Sequence, residues 1–341
     1  MTTPVLICDD SGMARKQMAR ALPGDWDIDV TFAVDGEDCL EKLRQGLGDI
    51  LFLDLNMPGL DGYGVLEHVR AEELPTLVIV VSGDIQPEAR ARVLKLGAID
   101  FIKKPTDTDR VATLLTDYGV YRPATDQPAE ATPSPTPERS YEEAGSTSWQ
   151  DVLQELSNVA MGQAGDLLAR LLNVFIKLPI PKVNMLAASE LRMALSVTDV
   201  EETWSGVCQG FIGSGIAGEA LLLFSDSRFD DMAKLLGYKS KDEPGLETEV
   251  LMDMSSILTG AFLKGLGEQL DTHFGISHPS VLGKHVQISD LLEQNSDHWR
   301  KMLAIELNYA VEDYDIQCDL LLLFAEDSIP ILRERLSYLM D

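Results

Sequence analysis

Basic residues are scarce in this 341-residue sequence: 28 lysines and arginines stand against 56 aspartates and glutamates, a formal net charge of −28. The deficit runs along the whole chain, at −9 over residues 1–121, −3 over 122–150 and −16 over 151–341. No stretch offers the positive surface that a phosphate backbone requires, so nucleic acid is excluded as an expected partner. Long apolar runs are also missing. The longest, such as "TLVIVV" and "LLLLF", are strand-length and far short of a membrane span, and no charged-then-apolar leader opens the chain. No membrane partner is expected, and the expected location is cytoplasmic. Cysteine is sparse too. Cys8, Cys39, Cys208 and Cys318 lack metal-ligand spacing and read as free thiols of a reducing compartment.

What is present divides the chain. Over residues 4–121, five apolar runs ("PVLICDD", "IDVTFAV", "DILFLDL", "TLVIVVSG", "AIDFIKK") alternate with five helical patterns. That alternation predicts an α/β fold, a doubly wound five-stranded parallel sheet with its ligand at the carboxyl ends of the strands. Residues 122–148 are rich in Pro, Ser and Thr and poor in apolar residues, which predicts a disordered linker. Residues 149–341 carry an internal repeat, about 150–248 and 249–341. Glu155 aligns with Asp253 and Pro181 with Pro279 at an offset of 98, and Phe224 aligns with Phe324 at 100. Each half reads as a helix, an apolar strand and a strand hairpin, which predicts one duplicated α+β unit with pseudo-twofold symmetry.

The first domain places polar groups at its predicted strand ends: Asp9 and Asp10, then Asp54, Ser82 and Lys104. Three carboxylates in one crevice repel one another unless a hard cation sits among them, and Mg2+ suits an all-oxygen site. A lysine and a hydroxyl opposite can hold a phosphoryl group. Separate acids capping the following helices would account for any one of these residues, but not for all of them at matching strand ends.

On "ICDDS", "FLDLNMPGLDGYGVL", "VVSGD" and "FIKKP", this stretch resembles the response-regulator receiver domain. The resemblance implies that Asp54 is the phosphoacceptor, served by a sensor histidine kinase. It implies Mg2+ ligation by Asp10 and Asp54, by Asp9 largely through water, and by the backbone carbonyl of Asn56. Ser82 and Lys104 would bind the phosphoryl oxygens, and Ser82 followed by Phe101 would form the switch.

In the second domain Glu155 and Asn158 lie three apart on one face of a predicted helix. By spacing alone, an E-x-x-N of this kind more often marks a solvated helix face. "ELSNVAMGQAGDLLARLL", "LPIPKVNML", "GSGIAGEALLLF" and the duplication resemble the CheC/CheX/FliY phosphatases. The resemblance implies that Glu155 and Asn158 are catalytic. Glu155 would pair with a receiver's lysine and Asn158 would orient the water that hydrolyses an aspartyl phosphate. Asp253 and Ser256, at the matching positions, would form a degenerate second site.

The function expected is therefore a phosphorylation-controlled phosphatase acting on a separate CheY-like receiver protein in chemotaxis or related signalling. The alternatives are self-dephosphorylation of Asp54 and a non-catalytic, phosphorylation-dependent binding module. A monomer or a phosphorylation-dependent dimer is expected. His273, His278, His285 and His298 fit no single ligand motif, and "ELNYAVEDYD" reads as a strand with one solvated face.

Overall fold

The computed structural model describes residues 2–123, 148–187, 203–238, 245–286, 301–314 and 316–340. The expected linker falls almost wholly outside these residues, as does His298. By their internal contacts the residues form two units, 1–151 and 152–341.

In the first unit the predicted alternation appears as β1 (Thr3–Cys8), α1 (Gly12–Ala21), β2 (Ile28–Ala33), α2 (Gly36–Arg44), β3 (Ile50–Leu53), α3 (Gly62–Ala71), β4 (Leu77–Ser82), α4 (Pro87–Leu96), β5 (Asp100–Lys103) and α5 (Thr108–Asp117). All pairings are parallel, in the order β2-β1-β3-β4-β5. Period-2 alternation divides the core between the two faces of the sheet. Val5, Ile7, Phe52 and Ile79 pack with Met18 of α1 and Val111 and Leu115 of α5. Leu6, Cys8, Leu51, Leu53 and Val80 pack with Leu40 of α2, Val65 of α3 and Val93 of α4. Each such buried side chain contributes about 1.5–3 kcal/mol, so a sheet covered on both faces holds its strand ends rigidly.

Helix starts are fixed locally. The side chains of Ser11, Asp35, Asp61 and Asp107 accept backbone N–H bonds at the first turns of α1, α2, α3 and α5. Helix α4 instead has Pro87 in its first turn and ends on Gly97 at φ 112°.

The second unit is α+β, dominated by an antiparallel sheet. A long helix α6 (Trp149–Leu172) is followed by β6 (Ile176–Lys177), β7 (Lys182–Ala187), β8 (Trp204–Gly213), β9 (Ile216–Ser225), a 3₁₀ turn (Asp226–Arg228) and α7 (Phe229–Leu235). The same order then recurs as α8 (Leu246–Gln269), β10 (Gly275–Ile276), β11 (Ser280–Val286), β12 (Lys301–Val311), β13 (Ile316–Phe324), a 3₁₀ turn (Glu326–Ser328) and α9 (Ile329–Met340). The sheet order β10-β8-β9-β13-β12-β6, with β11 on β8 and β7 on β12, maps onto itself when the halves exchange. Its central ladder sets Leu221 opposite Leu321, and these occupy the same place in the two repeats.

Ser148 and Asp151 exchange backbone and side-chain bonds (3.2 and 2.8 Å) and fix the start of α6. The two long helices meet where a Cβ on Gly265 would lie 3.1 Å from the Ala160 Cα, and Gln269 donates to the Leu156 carbonyl at 2.9 Å. The repeat is thus legible in sequence, whereas the two-residue strands β6 and β10 and the helices α7 and α9 are too short or too weakly patterned to be read there. Strand β12 stops at Val311, short of the predicted "EDYD". Its polar residues Glu306 and Asn308 are half-buried rather than solvated: Lys182 reaches Glu306 at 3.9 Å and Asp319 takes the Asn308 amide at 2.6 Å.

Candidate functional site

The acid cluster of the first unit follows from its topology. The order of strand addition switches sides at β1 and β3, with β2 laid on one side of β1 and β4 and β5 on the far side of β3, so the carboxyl ends of these parallel neighbours open a crevice. Asp9 and Asp10 leave β1 there and Asp54 leaves β3, with Asp9 N bonded to Ala33 O (3.2 Å) and Asp54 N to Cys8 O (2.9 Å). The three side chains each bring one oxygen within 4.8 Å of the others. Lys104, one residue past β5, reaches both sides: its Nζ lies 2.7 Å from Asp9 Oδ2 and 3.0 Å from Asp54 Oδ1. Ser82 ends β4, fully buried, and its Oγ accepts the Asp84 N–H at 3.1 Å.

Two of the carboxylates are also fixed by backbone donors. Asp54 Oδ2 accepts the Asn56 N–H at 2.8 Å and Asp9 Oδ1 accepts the Ser11 N–H at 2.9 Å. Asp54 is 1% exposed, so its charge is expensive without partners, and Lys104 and Asn56 are those partners. An all-oxygen donor set at this spacing, with more negative charge than one lysine balances, fits a hard divalent cation such as Mg2+. Asp9, Asp10 and Asp54 would hold it. Phe101 is buried at 6% among Val80, Val93 and Ala98, beneath the β4–β5 ends.

Beside the acid cluster, a hydrogen bond with Cys39 and burial push Cys8 far above the usual thiol range; in the second unit burial pushes Cys208 up to about 12. One residue of the site was missed by sequence reading. Arg15, 5% exposed in the first turns of α1, donates to the carbonyls of Asp9 (2.6 Å) and Asp10 (3.1 Å). The signal available was a lone arginine five residues after an Asp-Asp pair, on a helix face otherwise buried.

In the second unit Glu155 and Asn158 are 5% and 6% exposed, on a helix buried nearly all round. They are neither a solvated face nor a pair projecting from one. The matching positions differ: Asp253 and Ser256 are exposed, and Asp253 accepts a 2.8 Å bond from the Tyr238 hydroxyl, which pushes that tyrosine up to about 12.

Another polar cluster was not foreseen. His285, at φ 56° on β11, bonds Asp226 through Nδ1 (3.0 Å) and Glu247 through Nε2 (3.1 Å), while Ser205 donates to Asp226 at 2.6 Å. Carboxylates on both ring nitrogens require both to carry protons. Burial lowers the His285 pKa, but Asp226 and Glu247 outweigh it and the net shift is upward. A raised histidine stabilises fully below its unfolded value of about 6.5 and loses that contribution as pH rises through the folded value. His285 is half-exposed, so the contribution is under about 1 kcal/mol. Between pH 6 and 8.5 the second unit is expected to lose a few tenths of a kcal/mol that a His285→Gln variant never had. Equal pH dependence of the two melting curves counts against the pair.

The profile of the response regulator receiver domain matches residues 5–116. A protein-glutamate methylesterase/protein-glutamine glutaminase of Symbiobacterium thermophilum is 45% identical over 105 residues, 30% of this chain and 29% of that protein. A second protein of that name, from Myxococcus xanthus, is 38% identical over 138 residues, 39% and 40% of the two chains. The chain thus spans well under half the length of these relatives. Among solved structures, the receiver domain of Thermotoga maritima CheB is 30% identical, with TM-score 0.31, covering 35% of this chain and 93% of that one. Thermotoga maritima FliY covers 56% and 96% at 16% identity and TM-score 0.41, a likeness that does not assign the second unit to its family.

These findings correct the expected function. The relatives carry the name of methylesterases and glutaminases, not of aspartyl-phosphate phosphatases, so the phosphatase and its CheY-like substrate are withdrawn. Among the described residues no helix is long and apolar enough to cross a membrane. Residues 5–116, with their five-stranded parallel sheet and acid cluster, are a response-regulator receiver domain.

Proposed function

We propose that the chain is a response regulator in which Asp54 accepts a phosphoryl group, and that the resulting change at the strand ends governs the second unit. The observation that carries this reading is the convergence of Asp9, Asp10 and Asp54 around Lys104 at the β1–β3 crevice. A sensor histidine kinase is the donor class. An Asp54 oxygen forms the new O–P bond as the P–N bond of a phosphohistidine breaks, its electron pair returning to the imidazole. Mg2+, when bound, supplies charge neutralisation at the phosphoryl oxygens. Lys104 is placed to leave Asp54 for a phosphoryl oxygen. Ser82, whose oxygen accepts from Asp84, keeps its own proton to donate to another. A dianionic phosphoryl group in place of a carboxylate draws Ser82 toward it, and Phe101 lies beneath the strand ends that would then move.

The test is incubation of the full chain with Mg2+ and a small acyl phosphate, read by intact mass. One phosphoryl increment per chain is expected, and none in Asp54→Asn. No increment in the native chain, or an equal one in the variant, sinks the reading. The output is a separate question. Hydrolysis of glutamyl methyl esters or glutamine amides, the activity in the relatives' name, is the second reading, favoured by that name. A methyl-esterified acceptor protein incubated with the phosphorylated chain tests it.

A further inference from the structure

We propose that Arg15 is a positioning residue for the Mg2+ site, an inference that rests on the receiver reading above. Asp9 and Asp10 are consecutive residues on a chain that is leaving its strand, where the β-ladder no longer dictates peptide orientation. The Asp9 N–H still bonds Ala33, and the Ser11 N–H turns back to Asp9 Oδ1. The two carbonyls between them are gripped by one atom: Arg15 Nη1 lies 2.6 Å from the Asp9 oxygen and 3.1 Å from the Asp10 oxygen. Ser11 caps α1 and so sets the helix turn from which Arg15 returns, with its Oγ accepting the Ala14 N–H at 3.2 Å. The corner is therefore closed from both sides, and the guanidinium that closes it is 5% exposed.

Fixing both peptide planes fixes where both carboxylates emerge. A hard cation with a strict octahedral demand gains from that in affinity, because the ligands need not be ordered when it binds. A competing role exists. Arg15 also adds a positive charge near a cation site, and charge alone would weaken Mg2+ binding. The two roles predict opposite signs. Loss of positioning weakens Mg2+ in Arg15→Ala, whereas loss of repulsion strengthens it. Arg15→Lys separates them further, since it keeps the charge but replaces the planar, pre-organised guanidinium that sets Nη1 between the two carbonyls with an ammonium on a flexible stem.

The experiment is calorimetric titration of the full chain with Mg2+ alone, alongside thermal unfolding, for the native protein, Arg15→Ala, Arg15→Lys and Val111→Ala. Val111 is a buried residue of α5 and serves as a destabilised control outside the corner. Partners that orient metal ligands typically control affinity by about 10- to 100-fold. Arg15→Ala is expected to weaken Mg2+ in that range and Arg15→Lys by a smaller but clear factor. Val111→Ala should lose melting temperature while keeping native affinity. Native or tighter Mg2+ binding in Arg15→Ala overturns the proposal, as does native affinity in Arg15→Lys. If the native chain binds no Mg2+ at all, the receiver reading itself falls and takes this inference with it.

Discussion

Lys104→Ala is expected to destabilise the first unit by about 3–5 kcal/mol without Mg2+, the cost of stripping the partner from a buried pair. The size follows from the burial on both sides. The Lys104 side chain is 6% exposed, Asp9 7% and Asp54 0%, and one ammonium serves both carboxylates. A surface lysine in the same geometry would be worth under about 1 kcal/mol. Here its loss leaves two almost fully buried charges facing each other. Divalent cation should reverse much of the defect, because Mg2+ binds only the folded cluster and stabilises it by about 2.7 kcal/mol at a hundred times its Kd. It should also bind the variant more tightly than the native chain, since no ammonium competes. Hydrogen exchange at the β1 and β3 amides reads this unit separately, which matters in a chain of two units that need not unfold together. A loss below about 1 kcal/mol, or a loss that Mg2+ leaves untouched, would show that the ion pair does not hold the cluster together.

The receiver was legible in the sequence because its chemistry sits at the ends of strongly patterned strands. Asp9, Asp54, Ser82 and Lys104 each follow a run that alternation already marks as buried sheet, so their convergence follows from topology alone. Arg15 was not legible in the same way. Its partners are main-chain carbonyls, which carry no sequence signature. The second unit shows the opposite balance. Its repeated apolar positions carry the order of elements, because Leu221 and Leu321 face each other across the central ladder. The environment of its polar residues was hidden. Glu155 and Asp253 occupy matching helix positions, yet one is buried and the other is exposed and bonded to Tyr238. Helix periodicity fixes which residues share a face but not what covers that face. His285 was equally hidden, since its partners lie 38 and 59 residues away and its backbone sits at a positive φ that histidine seldom adopts.

Gly62→Ala is expected to cut phosphoryl transfer to Asp54 by about 100-fold, the effect typical of a displacement near 1 Å in a reacting group. The loop from Asp54 to Gly62 folds back on its own start. Gly62 N bonds the Leu55 carbonyl at 3.0 Å, and a methyl at Gly62 would run into the Asp54 carbonyl oxygen and lie 2.8 Å from the Leu55 Cα. These are backbone atoms of the phosphoacceptor segment and cannot rotate aside as a side chain can. The stability cost of such overpacking is about 1–3 kcal/mol, which leaves the unit folded if it began with ordinary stability. The rate loss should therefore exceed anything attributable to unfolding. Gly64→Ala makes the comparison, because its methyl comes closest to the Cδ1 of Leu60, the mobile end of a side chain, at 2.5 Å, and its next neighbours, also side-chain atoms, lie at 3.4 Å. It lies in the same first turns of α3 and should phosphorylate at close to the native rate. Intact-mass time courses with a small acyl phosphate decide the matter. A native rate in Gly62→Ala would mean that Asp54 takes its position from Lys104 and Asn56 alone, and that the tight approach of α3 to β3 belongs to packing rather than to the chemistry.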